Sequence, residues 1–204
     1  MPIFTDATIF PSFQELPSVS SLPSTSTSTP AWFLLAQIKE DMTITKPTLI
    51  VRDRAGVDFA VTFDDGDHRG LGEGRARFRK GHTLVVPRAT RTDREEGKKA
   101  VVRVPAGASA GVRVVPGSLE QVLELGVVVS AAKEVEEGGG DGGSVKKCAA
   151  CGKADGGEPG RALMRCTGCG AAAYCSKACQ VRGWSEMGHK ANCKVIKSIK
   201  EIWP

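Results

Sequence analysis

The first 147 residues contain no cysteine, and the whole chain has one tyrosine, three histidines and 5% aromatic residues. The aromatics are spread along the sequence, so no stacked binding face is expected from them. No apolar run approaches the ~18 residues of a membrane-spanning helix, and no membrane partner is expected. The first 30 residues have no Lys or Arg. That removes the charged n-region of a signal peptide and the Arg-rich pattern of a transit peptide. An intracellular protein, in nucleus or cytoplasm, is the expectation.

What is present is ordinary for a folded chain: 204 residues, 41% hydrophobic and 25% charged. This suffices for one domain of typical size or two small ones. Residues 1–30 are rich in Ser, Thr and Pro and are expected to form a disordered tail, with Phe4, Ile9, Phe10 and Phe13 as a possible docking segment. From Ala31 to Ala132 the composition is that of a small β-rich domain. Thr48–Arg52, Val57–Phe63, His82–Pro87 and Ala100–Val104 are short, β-branched and bounded by Gly, Pro or Asp, and Val112–Val115 adds a further candidate. Arg54-Ala-Gly56 and Asp64–Asp67 supply turns. Ser118 can cap a short helix with Gln121 at the capping-box position, and Gly126 is placed to end it. Many short strands with few helices predict a small OB-like barrel or sandwich. Residues 133–147 read as a Gly-rich acidic linker, and 194–204 as a basic C-terminal tail.

All seven cysteines lie between 148 and 193. In a reducing compartment such a cluster reads as metal ligands, and seven is odd for disulfides. His189 makes eight, enough for two tetrahedral sites. The pattern is Cys148-x2-Cys151-x14-Cys166-x2-Cys169-x5-Cys175-x3-Cys179-x9-His189-x3-Cys193. A C-x2-C knuckle lets two thiolates reach one metal. The i,i+4 spacing of Cys175 with Cys179, and of His189 with Cys193, would put each pair on one face of a helix. Spacing alone leaves open which pairs share a metal. The chain's formal charge of +5 is partly balanced by this cluster. Residues 144–204 carry eleven basic and four acidic groups; thiolates and zinc together would leave about +4.

Beyond the ligands, Tyr174-Cys175-Ser176, Cys179-Gln180, Trp184 and His189-Lys190 make residues 148–193 resemble the MYND zinc-finger family. The related HIT finger has similar spacing without this set, and RING fingers differ in ligand order. The resemblance implies a small α+β finger holding two zinc ions in interleaved sites. Cys148, Cys151, Cys175 and Cys179 would hold one, and Cys166, Cys169, His189 and Cys193 the other. It implies capture of another protein through a short proline-containing peptide, with Thr167, Gln180 and Trp184 as groove residues. Two features depart from the family pattern: Gly183 stands where Asp usually precedes the Trp, and the Trp184-to-His189 stretch is longer. The run from Lys46-Pro47 through Val51–Phe59, followed by Arg79–Val86, resembles the β-rich region preceding the finger in many fungal MYND proteins.

Little else points to chemistry. Gly70–Gly74 lacks the Lys-Ser/Thr of a phosphate loop and leads into Arg75–Lys80 rather than a helix start. His68 and His82 have no nucleophile or carboxylate at motif spacing. The pieces of a SET domain, with which MYND fingers also occur, are not visible. A non-enzyme is expected. Arg69, Arg75, Arg77, Arg79, Lys80, Arg88, Arg91 and Arg94 form a basic stretch, yet residues 31–132 carry sixteen basic against thirteen acidic groups. A nucleic-acid-binding regulator working through that stretch is the alternative to an adaptor.

Overall fold

Period-two alternation of large apolar residues builds the first part of the chain. In the computed structural model, which describes residues 2–21, 31–65, 78–137, 147–154 and 162–204, seven strands form one sheet. They are β1 (Phe33–Asp41), β2 (Thr48–Asp53), β3 (Asp58–Phe63), β4 (Thr83–Pro87), β5 (Arg91–Thr92), β6 (Val101–Val104) and β7 (Arg113–Val115). Their order is β5-β6-β3-β2-β1-β4-β7. All neighbours run antiparallel except β3 and β6, which are parallel. Leu34, Ala36 and Ile38 of β1, Leu49 and Val51 of β2, Phe59, Val61 and Phe63 of β3, and Leu84 and Val86 of β4 form one buried cluster. Alternate residues point to one face of a strand, so each strand contributes every second side chain to that core.

The expected barrel or sandwich is corrected by this topology. The sheet does not close, and among the described residues the only other sheet is the two-stranded one of the second unit. A central strand was also missed. β1 is nine residues long and pairs with both β2 and β4. Its run Leu34-Leu35-Ala36 is buried on both faces, and continuous burial hides the alternation that marks a half-exposed strand.

The N-terminal segment is a second correction. Residues 2–21 are not a disordered tail but a strap on the sheet. Phe13 stacks on Phe59 with ring centroids 4.2 Å apart, and both Phe13 and Leu16 join the core. Phe4 stacks on Phe10 at 4.7 Å, so the aromatics expected as a docking segment face inward. Buried Asp53 fastens the strap, accepting hydrogen bonds from the Phe13 N–H at 2.6 Å and from Ala55 and Val57 in the β2–β3 turn. Composition concealed this because the Ser/Thr/Pro-rich part, 22–30, follows the aromatic part; 22–30 lie outside the described residues.

Helix α1 (Leu119–Glu137) begins at Ser118, whose Oγ accepts from the Gln121 N–H at 3.2 Å. It does not stop at Gly126, and it runs past the expected start of the linker. An interior Gly costs about 1 kcal/mol relative to Ala; Gly126 is itself buried, and Leu125 and Val129 on either side of it pack into an apolar cluster. The chain divides into two units, 2–123 and 124–204. The second contains the end of α1, β8 (Met164–Arg165), β9 (Ala173–Tyr174), α2 (Lys177–Ser185) and α3 (His189–Ile202). The expected basic tail from 194 is the body of α3, with Val195, Ile196, Ile199 and Trp203 buried. No described helix is long and apolar enough to cross a membrane.

Candidate metal centre

Two knuckles of the same design open the second unit. In Cys148-Ala-Ala-Cys151-Gly152 the Gly152 N–H returns to the Cys148 carbonyl at 2.9 Å; in Cys166-Thr-Gly-Cys169-Gly170 the Gly170 N–H returns to Cys166 at 2.8 Å. Both glycines sit at positive φ, 72° and 66°, a conformation that other residues adopt at a cost. The recurrent Cys-x2-Cys-Gly is a sequence signal that the pairwise ligand count passed over. β8 and β9 pair antiparallel, Met164 opposite Tyr174. The Ala149 N–H bonds to the Ala173 carbonyl, tying the first knuckle to β9. After Cys175, Ser176 caps α2 by accepting from the Cys179 N–H at 3.1 Å. Cys175 thus precedes the helix, and the expected shared helical face of Cys175 and Cys179 is replaced by a cap-and-helix pair. His189 and Cys193 do lie one turn apart on α3.

These elements bring together Cys148, Cys151, Cys175 and Cys179 as one group, and Cys166, Cys169, His189 and Cys193 as the other, with the ligand atoms of each within 4.8 Å of one another. All seven cysteines are free thiols. Sulfur separations are 3.6 Å for Cys151–Cys175 and for Cys175–Cys179, and 3.7 Å for Cys166–Cys193; Cys169 Sγ lies 3.7 Å from His189 Nε2. A tetrahedral ion with Zn–S bonds of about 2.3 Å requires ligand separations of about 3.7 Å. The residues fit the metal.

The thiols fit it electrostatically as well. Burial raises Cys148, but N–H donors from Cys175, Ala150 and Cys151 outweigh it and hold the thiol at about 6. Cys166 is likewise brought to about 6, burial being outweighed by the Cys169 N–H, the His189 ring and the Gly168 N–H. Their neighbours go the other way. The Cys179, Cys151 and Cys148 thiols push Cys175 up to about 12, and burial followed by Cys166 pushes Cys193 to about 12. One thiolate per group forms easily and the last is opposed by the neighbouring thiols and by burial, a conflict that a divalent cation removes.

Tyr174 separates the two groups. It is 1% exposed, shares a cluster with Cys148 and Ala150, and meets the His189 ring edge-on at 6.1 Å. A Cβ at Gly183 would fall 2.4 Å from the Tyr174 ring, so the glycine in place of the family's usual Asp is what lets α2 lie against that ring. Gly168 is constrained in the same way, its Cβ position lying 2.8 Å from Cys193 Sγ. The second group has an apolar cover from Val129, Ile196, Leu125 and Ala172.

Residues 148–193 match the MYND finger family. MYND fingers bind zinc and serve protein–protein interaction, and the two ligand groups suit two zinc ions per chain. No curated protein matches the chain. In this finger the groove residues implied by the resemblance are placed as follows. Gln180 and Trp184 lie one turn apart on α2, half-buried and exposed respectively, and Thr167 is exposed in the second knuckle. The Trp184 ring meets His189 edge-on at 5.7 Å and remains 41% exposed. It belongs partly to the finger's packing and partly to its surface.

The basic stretch of the first unit is described only in part. Arg69, Arg75 and Arg77, with His68 and Gly70–Gly74, lie outside the described residues. Arg79 and Lys80 precede β4, whereas Arg88 follows it, and Arg91 is engaged by Asp93 at 3.0 Å and by Gln14.

Proposed function

We propose that the chain is a non-catalytic adaptor whose zinc-loaded finger captures an extended, proline-containing segment of a partner protein. The supporting observation is Trp184, a large ring left 41% exposed on the helix that carries Cys179. α2 packs against β9 and α3, and β8 is the edge of the small sheet beside it. A strand added to this sheet would gain affinity from main-chain bonds, while Trp184 covers a proline ring and Gln180 bonds the exposed main chain. Thr167, in the neighbouring knuckle, would contribute a polar contact. With four protein ligands for each zinc, no coordination position remains for an activated water, so both ions would be structural.

The test is peptide binding by the zinc-loaded chain. Trp184→Ala should weaken a proline-containing peptide by about thirtyfold, the size expected of a central aromatic anchor. Two zinc ions per chain should remain. Unchanged affinity in the variant, with metal content intact, would remove Trp184 from the groove.

A further inference from the structure

The exposed side of α2 has a mixed character. Lys177, Val181 and Trp184 fall on one stripe of the helix, since residues three, four and seven apart share a face. Val181 is 58% exposed, and Met187, just beyond the helix, is 50% exposed. Lys190 directly follows His189, on whose ring Trp184 rests, and Lys194 lies one turn further along the exposed side of α3. The described part of the finger, 147–154 and 162–204, holds nine basic residues and two acidic ones. Both carboxylates are engaged within their own helical regions: Glu186 with Arg182 at 3.6 Å, and Glu201 with Lys197 at 3.7 Å. Lys177, Lys190 and Lys194 have no carboxylate partner among the described residues. Two Cys/His zinc centres would together carry about −3, leaving the finger surface positive around an apolar strip.

We infer that the partner segment carries acidic side chains flanking its apolar core, received by Lys177 on α2 and by Lys190 and Lys194 on α3. This rests on the proposed peptide-binding function and specifies its ligand. A protein segment fits better than nucleic acid because the exposed Val181 and Met187 beside Trp184 offer aliphatic surface to an apolar side chain and neither a stacking ring nor a charge to a base or phosphate. Charge at such exposed positions acts mainly on selectivity and association rate, and it is screened by salt.

The experiment uses the full zinc-loaded chain and two labelled peptides with one and the same proline-containing apolar core, flanked by glutamates in one and by alanines in the other. The acidic peptide should bind about tenfold more tightly at low ionic strength, and the gap should narrow as salt is added. Lys177→Glu combined with Lys190→Glu should erase or reverse the preference while leaving two zinc ions and the affinity for the alanine-flanked peptide in place. Equal binding of both peptides, with Trp184→Ala weakening both, overturns the acidic-flank inference and leaves the groove standing. Binding of neither overturns both. Tighter binding of a single-stranded oligonucleotide than of the acidic peptide overturns it in favour of nucleic acid.

Discussion

The two units of this chain are organised around different kinds of centre. Residues 2–123 hold a seven-stranded sheet with an apolar core and no cysteine, fastened by a strap through Phe13 and Asp53. Residues 124–204 contain two two-residue strands and the helices α2 and α3, with eight cysteine and histidine side chains gathered into two groups suited to zinc. Two apolar clusters of described residues in the second unit are small, and each includes cysteine. The finger itself, residues 148–193, is too short to build an apolar interior that offsets its chain entropy unaided. Coordination takes that role, and in finger peptides structural zinc contributes about 10–16 kcal/mol. The lesson is that one chain can rely on burial in one part and on metal in another, with each part vulnerable to a different perturbation.

The comparison breaks most sharply under chelation. Removing zinc from the full chain should abolish the second unit's circular dichroism and leave the thermal transition of the first unit where it was. One cooperative transition that vanishes with the chelator would mean that the two share a single folding unit. Phe13→Ala should act in the opposite sense, lowering the first unit's stability by about 3–5 kcal/mol, as loss of a stacked core phenylalanine does, with two zinc ions still bound. If zinc content falls with it, the separation fails.

Within the finger, Gly183→Ala should destabilise by about 1–3 kcal/mol through overpacking against Tyr174. Denaturant unfolding of the zinc-loaded protein would measure it; a neutral result would show that α2 can withdraw from the ring. The smallest effect separates the two metal sites by rate. Cys151 and Cys175 are exposed, whereas Cys166, Cys169, His189 and Cys193 are all buried. A thiol-alkylating reagent should therefore release the first zinc ahead of the second, in two resolved phases followed with a chromogenic zinc indicator. Simultaneous release would show that the finger opens as a whole before either site reacts.

Much of the site was legible because ligand pairs are local. Two residues three or four positions apart have few relative geometries, so Cys-x2-Cys and His-x3-Cys imply joint ligation before any fold is known. The short strands from Thr48 to Val115 were legible for the same reason, through β-branching and turn residues. Regular spacing was less informative at Cys175, which precedes α2 because Ser176 takes the capping position between them.

Tertiary contacts decided the rest. Which knuckle joins which later pair depends on β8 pairing with β9 and on α2 packing beside α3, contacts that the spacing of a knuckle does not encode. The glycine at 183 reads as a departure in the sequence and as a fit in the fold, because its reason is a ring nine residues earlier. The strap at 2–21 looked like a tail until Asp53 and Phe59 supplied partners for Phe13 forty or more residues further along the chain. Helix α1 passed Gly126 because burial of Leu125 and Val129 against the cysteine cluster outweighs the local cost of the glycine. Short-range chemistry is written in composition and spacing. Long-range pairing is settled by which apolar surfaces and donor sets meet, and that free energy exists only once the chain has folded.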